Sequence, residues 1–279
     1  MQTFERIDWR NISWEIAEQA SLIQNDGCRN DLIRLEYIKA KYRLTDMPQD
    51  ISISQLTSKD HKKALKWIAR STYINVRQNP RRWLLMMKSG PEYVAFSGVT
   101  LPEYVDVPRP PVLFQLKTWI LSKWYLVLRV LESGTFEDPM YNRTFSEVRK
   151  FGRVKCDAVR TPEKLAKLSQ LSEMEIRKVN YAEEDVYHLD IFVLKLNQQG
   201  KGLGKVLMDN TIKEIKKDGL QDPNGVNVPF NGPSKLSFFA SPMGTKFYLK
   251  HGFTLGNQYT QILDSGKELQ HSYFFKNLD

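Results

Sequence analysis

The sequence predicts an α/β fold, and three observations predict it. The last hundred residues alternate strand-like and helix-like apolar patterns. A loop with three glycines in five positions joins one of those strands to the helix after it. A second strand–helix pair follows about forty residues later. Strands are expected at 186–195, 235–240, 253–262 and near 269–276, with helices at 201–217 and 242–250. Such an alternation builds a sheet whose chemistry sits at the strand-to-helix junctions.

Upstream, residues 10–45 read as two helical stretches, "SWEIAEQASLI" and "DLIRLEYIKAKYRL", broken at Asn25, Asp26 and Gly27. "ISISQL" (51–56) alternates as a strand does, and Thr57 is placed to cap a helix in which Leu65, Ile68 and Ala69 repeat at helical spacing. "NPRRWLLMM" (79–87) reads as a short helix opened by Pro80, and "EYVAFSGVTL" (92–101) as a strand. Four prolines make 102–111 a loop. A long apolar helix is expected over 111–133 and another helix over 162–179.

The long helix carries a narrow polar stripe, Gln115, Thr118, Ser122, Tyr125 and Arg129, on an otherwise apolar surface. That pattern predicts burial on most sides, or the lining of a cleft, with Trp119, Trp124 and Tyr125 roofing a pocket. A membrane span is disfavoured, because Lys117, Lys123 and Arg129 would each cost roughly 2.5–3.5 kcal/mol near a bilayer centre. No membrane partner is therefore expected.

The 279 residues carry a net charge of +9 and 41% hydrophobic residues, the profile of a globular chain with a basic surface. Lys and Arg are spread without a dense basic tail, so nucleic acid is a disfavoured partner. Cys28 and Cys156 lack disulfide-framework or metal-ligand spacing and fit a reducing compartment; the expected location is cytoplasmic, a nuclear one remaining open. The opening "MQTFERIDWRNISWEI" has early acidic residues and no apolar core of the secretory type.

The segment with the most to say is "HLDIFVLKLNQQGKGLGKVLMDN" (188–210). Its strand runs through Leu189, Ile191, Val193 and Leu194. Leu203, Val206, Leu207, Met208, Ile212 and Ile215 then follow helical spacing. A glycine-rich turn at a helix N-terminus presents unpaired N–H groups and the positive end of the helix dipole, which together favour a phosphate or pyrophosphate. A P-loop does not fit: after Gly204-Lys205, Val206 stands where the hydroxyl residue belongs, and the spacing is one residue short. A dinucleotide fingerprint does not fit either, since position 205 is lysine.

What fits is Gln-x-x-Gly-x-Gly on Gln199, Gly202 and Gly204. Here the sequence resembles the GNAT N-acetyltransferase superfamily, closest in pattern to its fungal-type small enzymes. "LDIFVLKLNQQGKGLG" aligns without a gap to the family's "LDLLAVDPEYQGKGIG", with Leu194 for the usual valine and Leu196 for the usual proline. "FFASPMGTKFYLKHGF" (238–253) resembles the next strand and helix, which usually end in "lYeklGF"; physically, Ser241 suits an N-cap, Pro242 the first helical position and Gly252 the C-terminal cap.

The resemblance implies a mixed, mostly antiparallel central sheet flanked by helices. It implies an acyltransferase domain over 51–279, with a helical insertion near 111–180 and an N-terminal helical extension over 1–50. The co-substrate would be acetyl-CoA, without a metal, and the acceptor a primary amine of a small metabolite or xenobiotic, acylated by direct attack. Gln199, Gly200, Lys201, Gly202, Leu203, Gly204 and Lys205 would hold the pyrophosphate. The backbone of Phe192, Val193 and Leu194 would pair with the pantetheine arm, and Ser241 would sit beside the cofactor. Tyr248, on the family's "lY" tyrosine, would protonate the leaving thiolate while also touching the cofactor.

For the base, strict alternation puts His188, Asp190 and Phe192 on one strand face. His188 aligns with a position where some relatives carry a catalytic glutamate, and Asp190 lies two residues nearer the thioester. A protein acetyltransferase and a catalytically silent CoA-binding module are the competing readings, and a homodimer is an open option.

Overall fold

Residues Gln2–Ile7 form strand β1 and join the central sheet, in a segment expected to be a helical extension outside it. Their side chains divide between the two faces: Phe4 packs on one core cluster and Ile7 on the other. A turn follows in which Asp8 accepts from the Arg10 N–H at 2.8 Å and Asn11 accepts from the Asp8 N–H at 2.7 Å. Ser13 then caps helix α1 (Trp14–Gly27), its Oγ accepting from the Ile16 N–H at 3.1 Å.

The computed structural model describes residues 2–28, 58–102, 107–133, 155–156, 186–218, 235–240, 242–262 and 268–278. The helices expected at 31–44 and 162–179, the strand at 51–56, Thr57 and Ser241 lie outside the described residues.

The remaining elements are α2 (Ser58–Gln78), β2 (Arg82–Ser89), β3 (Glu92–Thr100), α3 (Val112–Ser133), β4 (Lys155–Cys156), β5 (Tyr187–Leu194), α4 (Leu203–Asp218), β6 (Lys235–Ala240), α5 (Thr245–Lys250), β7 (Thr254–Ile262) and β8 (Glu268–Asn277). The strands form one sheet in the order β1-β2-β3-β5-β6-β8-β7-β4. Every pairing is antiparallel except β5 with β6. This is the mixed, mostly antiparallel sheet with flanking helices that was expected.

One expected helix is a strand. Residues 82–89 carry Leu and Met, which favour helices in isolation, yet Trp83 to Met87 are all buried between β1 and β3. A segment covered on both faces loses the alternation that marks a strand, and its pairing overrides local propensity. Gly90, at φ +63°, turns it directly into β3.

The two sheet faces hold separate cores. Leu84, Met86, Phe96 and Val193 meet α1 and α2 through Ala17, Ala20, Ile23, Ala69 and Val76. Trp83, Leu85, Ala95 and Leu194 meet α4 through Leu207, Met208 and Ile215. A buried pair, Ser97 Oγ and Thr211 Oγ1 at 2.7 Å, ties β3 to α4 on that second face.

Helix α3 inverts its expected orientation. Thr118 and Tyr125 of the polar stripe face the protein together with Phe114, while Gln115 is exposed: Thr118 is 2% exposed and accepts from Arg77 Nε, whose guanidinium also lies 4.2 Å over Phe114. Tyr125 rests near Trp14 and under Arg70. Trp119 and Trp124 face outward at 56% and 53% exposure, against the expected roof over a pocket. Arginines on α2 offer aromatic and hydroxyl groups better partners than aliphatic ones, and this decides which face turns in.

Candidate functional site

Strands β5 and β6 pair only at Tyr187 with Leu236 and His188 with Ser237. Beyond that point they diverge, and the wedge between them opens into a cavity of about 740 Å³. Leu189–Leu194 form one wall and Phe238–Ala240 the other; Gly200, Gly202, Gly204 and Lys205 border it, with Tyr248, Lys250 and His251 from α5 and the turn after it. Among the described residues no strand pairs with β5 on this side past His188.

The loop's glycines divide into two kinds. Gly200 and Gly202 have φ of +75° and +78°, and a Cβ on either would meet nothing within 4 Å, so the backbone conformation requires glycine and the space above is open. Gly204 has no such φ; its Cβ would lie 2.9 Å from Phe247 Cε2, so this glycine serves the packing of α4 against α5. Leu203 and Gly204 stand at the helix start, ahead of the first helical bonds, made by the Lys205 and Val206 N–H groups to Gly202 O.

Gln199 has a structural task. Its Nε2 donates to Leu194 O at 3.1 Å and to Gly27 O at 3.2 Å, bolting the loop to the C-terminus of α1. Asp26 assists, its Oδ2 accepting from the Leu196 N–H at 2.7 Å. The Leu196–Gln198 3₁₀ turn is thus held by a helix some 170 positions earlier. Lys205 is paired with Asp209 one helical turn on, while Lys201 and Leu203 do not line the cavity.

Tyr248 is 8% exposed and surrounded by rings: Phe238 at 4.3 Å between centroids, Phe247 at 5.2 Å and Phe274 at 5.5 Å. Burial pushes its phenol well above the ordinary tyrosine pKa, and the nearby Cys28 thiol adds to the shift. The short helix carrying it begins at Thr245, after a 3₁₀ turn at Pro242–Gly244, rather than at Pro242. Gly252, at φ +75°, ends it as expected.

The acid–base candidates do not share a face with Phe192. Gly98 opposes Ile191 and Val99 opposes Leu189, so Asp190 is an extra residue in a β-bulge. The bulge turns Phe192 toward Phe247, 5.6 Å away between centroids, while Ile191 and Val193 join the α1–α2 core. Asp190 Oδ2 accepts from Thr100 Oγ1 at 2.6 Å and lies 3.3 Å from Arg82 Nε; Oδ1 lies 3.8 Å from His188 Nε2. Asp190 lines the cavity and His188 does not.

Sequence reasoning missed Gly27, Cys28, Lys250 and His251 as lining residues. The first two come from α1, and no local pattern signals that a helix end will be laid against a loop so distant in sequence.

Fold and site together define an α/β protein in which the one parallel strand pair among the described residues splays around a largely apolar cleft, with a glycine loop and helix start at its edge. No family model matches the sequence, and no curated protein matches it. Among solved structures, the N-acetyltransferase from Staphylococcus aureus Mu50 is similar at 11% identity and a TM-score of 0.44, over 100% of this chain and 99% of that one. The Drosophila melanogaster polyamine N-acetyltransferase, which forms N-acetylagmatine, gives 11%, 0.44, 99% and 100%. The Escherichia coli ribosomal-protein-S18-alanine N-acetyltransferase gives 9%, 0.40, 100% and 95%. At these identities and scores the likenesses carry no argument about activity.

Proposed function

We propose that the chain is an acetyl-CoA-dependent N-acyltransferase of the GNAT kind, transferring an acetyl group to the primary amine of a small molecule. One observation carries the reading: the strand-to-helix motif that resembles the family's pyrophosphate loop borders the cavity opened by the divergence of β5 from β6. The residues present fit the co-substrate. Gly200 and Gly202 leave open space over the turn, the start of α4 supplies N–H groups ahead of its first helical bond, and Lys205, Lys250 and His251 add basic character. The free side of β5 offers backbone groups to an extended amide chain such as a pantetheine arm.

Acetyl-CoA, when bound, supplies the acyl group as an activated thioester. Asp190 is the cavity-facing acceptor of the amine proton, at Oδ1, with His188 beside it to pass the proton on; Thr100 and Arg82 hold Oδ2 and fix the carboxylate. Tyr248 stays protonated across the working pH range, so it serves the leaving sulfur as a hydrogen-bond donor that holds its proton tightly. Gln199 leaves the pyrophosphate set and becomes the residue that positions the loop.

Calorimetric titration of acetyl-CoA and CoA into the wild type and Gly202→Asp tests the reading. The variant puts a side chain at φ +78° and a carboxylate where an anion belongs, and it should lose binding that the wild type has. Failure of the wild type to bind either compound overturns the proposal. Binding without thiol release over a panel of amines would leave a CoA-binding module and no transferase.

A further inference from the structure

Helix α3 presents an apolar face to solvent that its sequence pattern assigned to the interior. Val112 is 81% exposed, and Leu116, Ile120 and Val127 continue the same stripe at helical spacing. Trp119 and Trp124 flank it on opposite sides. Lys117 and Lys123 are also exposed, the latter lying 5.8 Å over the Trp119 ring. The inward face is already engaged by Arg77, Trp9, Trp14 and Arg70. The outward face is therefore fixed by packing underneath it.

We propose that this face of α3 docks onto the surface of an anionic phospholipid bilayer, the helix lying in the interface. Three observations select that occupant. The exposed aliphatic residues Val112, Leu116, Ile120 and Val127 form one stripe along a single helix, a shape that a bilayer can mould to without a matching trough. Tryptophan and lysine alternate with the aliphatic residues, and both types place an apolar body among acyl chains while keeping a polar tip at the headgroups. The charge is complementary as well: the chain is +9, and the exposed residues described on this face include two lysines and no carboxylate.

A second copy is a poorer occupant. Two-fold pairing of the stripe would bring Lys123 and Lys117 of both copies together with no described acidic group on the face to neutralise them. No helix of the described residues is long and apolar enough to cross a membrane, so the contact is one of lying on the surface.

The test uses the full chain with vesicles of phosphatidylcholine alone and with about 30 mol% phosphatidylserine added. Cosedimentation should favour the anionic vesicles at least about tenfold and fall steeply with salt. Brominated lipid should quench tryptophan fluorescence, and the quench should disappear in Trp119→Phe/Trp124→Phe. Leu116→Glu/Ile120→Glu should abolish binding, and Leu116→Ser/Ile120→Ser should weaken it; both change exposed side chains, and circular dichroism reports whether each folds. Absence of binding to anionic vesicles at low salt overturns the proposal, as does binding that the folded variants retain. A dimer seen by sedimentation and lost in the same variants overturns it in favour of self-association.

Discussion

Replacing Gly27 with alanine separates local preference from tertiary packing. Gly27 ends α1 without a positive φ, so helix propensity alone makes alanine the better residue by about 1 kcal/mol. Packing points the other way. A Cβ there would lie 2.1 Å from Leu194 O, 2.5 Å from Val193 Cγ2 and 3.0 Å from Leu194 C, and two of these are backbone atoms of a strand paired with β3. To reach ordinary contact distance, the end of α1 must withdraw by about 1 Å.

That overpacking costs about 1–3 kcal/mol. The withdrawal also loosens the Gln199 bond to Gly27 O and the Asp26 bond to the Leu196 N–H, each worth about 0.5–1.5 kcal/mol. Net of the propensity gain, the loss is about 1–5 kcal/mol, a fall in melting temperature of roughly 2–20 °C. Thermal unfolding followed by circular dichroism measures it. In Gly27→Ala/Gln199→Ala the losses should add to less than their sum, because one bond is shared. A melting temperature equal to the wild type's, or higher, refutes the packing of α1 on the loop and with it the positioning role of Gln199.

Four further outcomes follow from the site. Tyr248→Phe should bind CoA as the wild type does and lower turnover by about tenfold or more, read from steady-state kinetics, since only the hydroxyl is removed from the ring cluster. Asp190→Asn should lower turnover more than His188→Gln, and the order would reverse were His188 the group that meets the amine. Alkaline titration monitored by tyrosinate absorbance should show a late-ionising tyrosine in the folded protein that is missing from Tyr248→Phe. Because the folded-state pKa of Tyr248 is raised, its contribution to stability is whole below the unfolded value near 10 and declines as pH rises beyond it. Thr211→Val, which strands the buried Ser97 hydroxyl, should cost about 1–3 kcal/mol in urea unfolding.

The parts of the fold that the sequence made legible are those whose signals are local. Strands β3, β5, β6, β7 and β8 and helix α4 fall within a residue or two of their expected bounds, because each carries its own periodicity and turn residues. Strand β2 was hidden by its double burial, and β1 by the helical pattern that begins just after it. The site divides in the same way. The glycine loop could be read from five adjacent positions, whereas the bulge at Asp190 depends on how β3 pairs with β5, which no single strand records.

The same distinction explains why the N-terminal segment belongs to the site. Sequence comparison by motif begins the domain at residue 51, since the first fifty residues share no pattern with the motif-bearing part. Physically, a loop whose glycines are free in φ needs an external fixture, and here Gly200 and Gly202 have open space around them. The fixture is the C-terminus of α1, through Asp26 and the carbonyl of Gly27, and α1 is itself set by β1 through the Asp8–Asn11 turn and the Ser13 cap. Removing residues 1–28 takes away both this fixture and the Gly27 and Cys28 part of the cavity wall, so it should weaken CoA binding, which titration of the truncated chain, checked for folding by circular dichroism, measures. Full affinity in a folded truncation would mean that the loop holds its own shape and that α1 only covers the sheet.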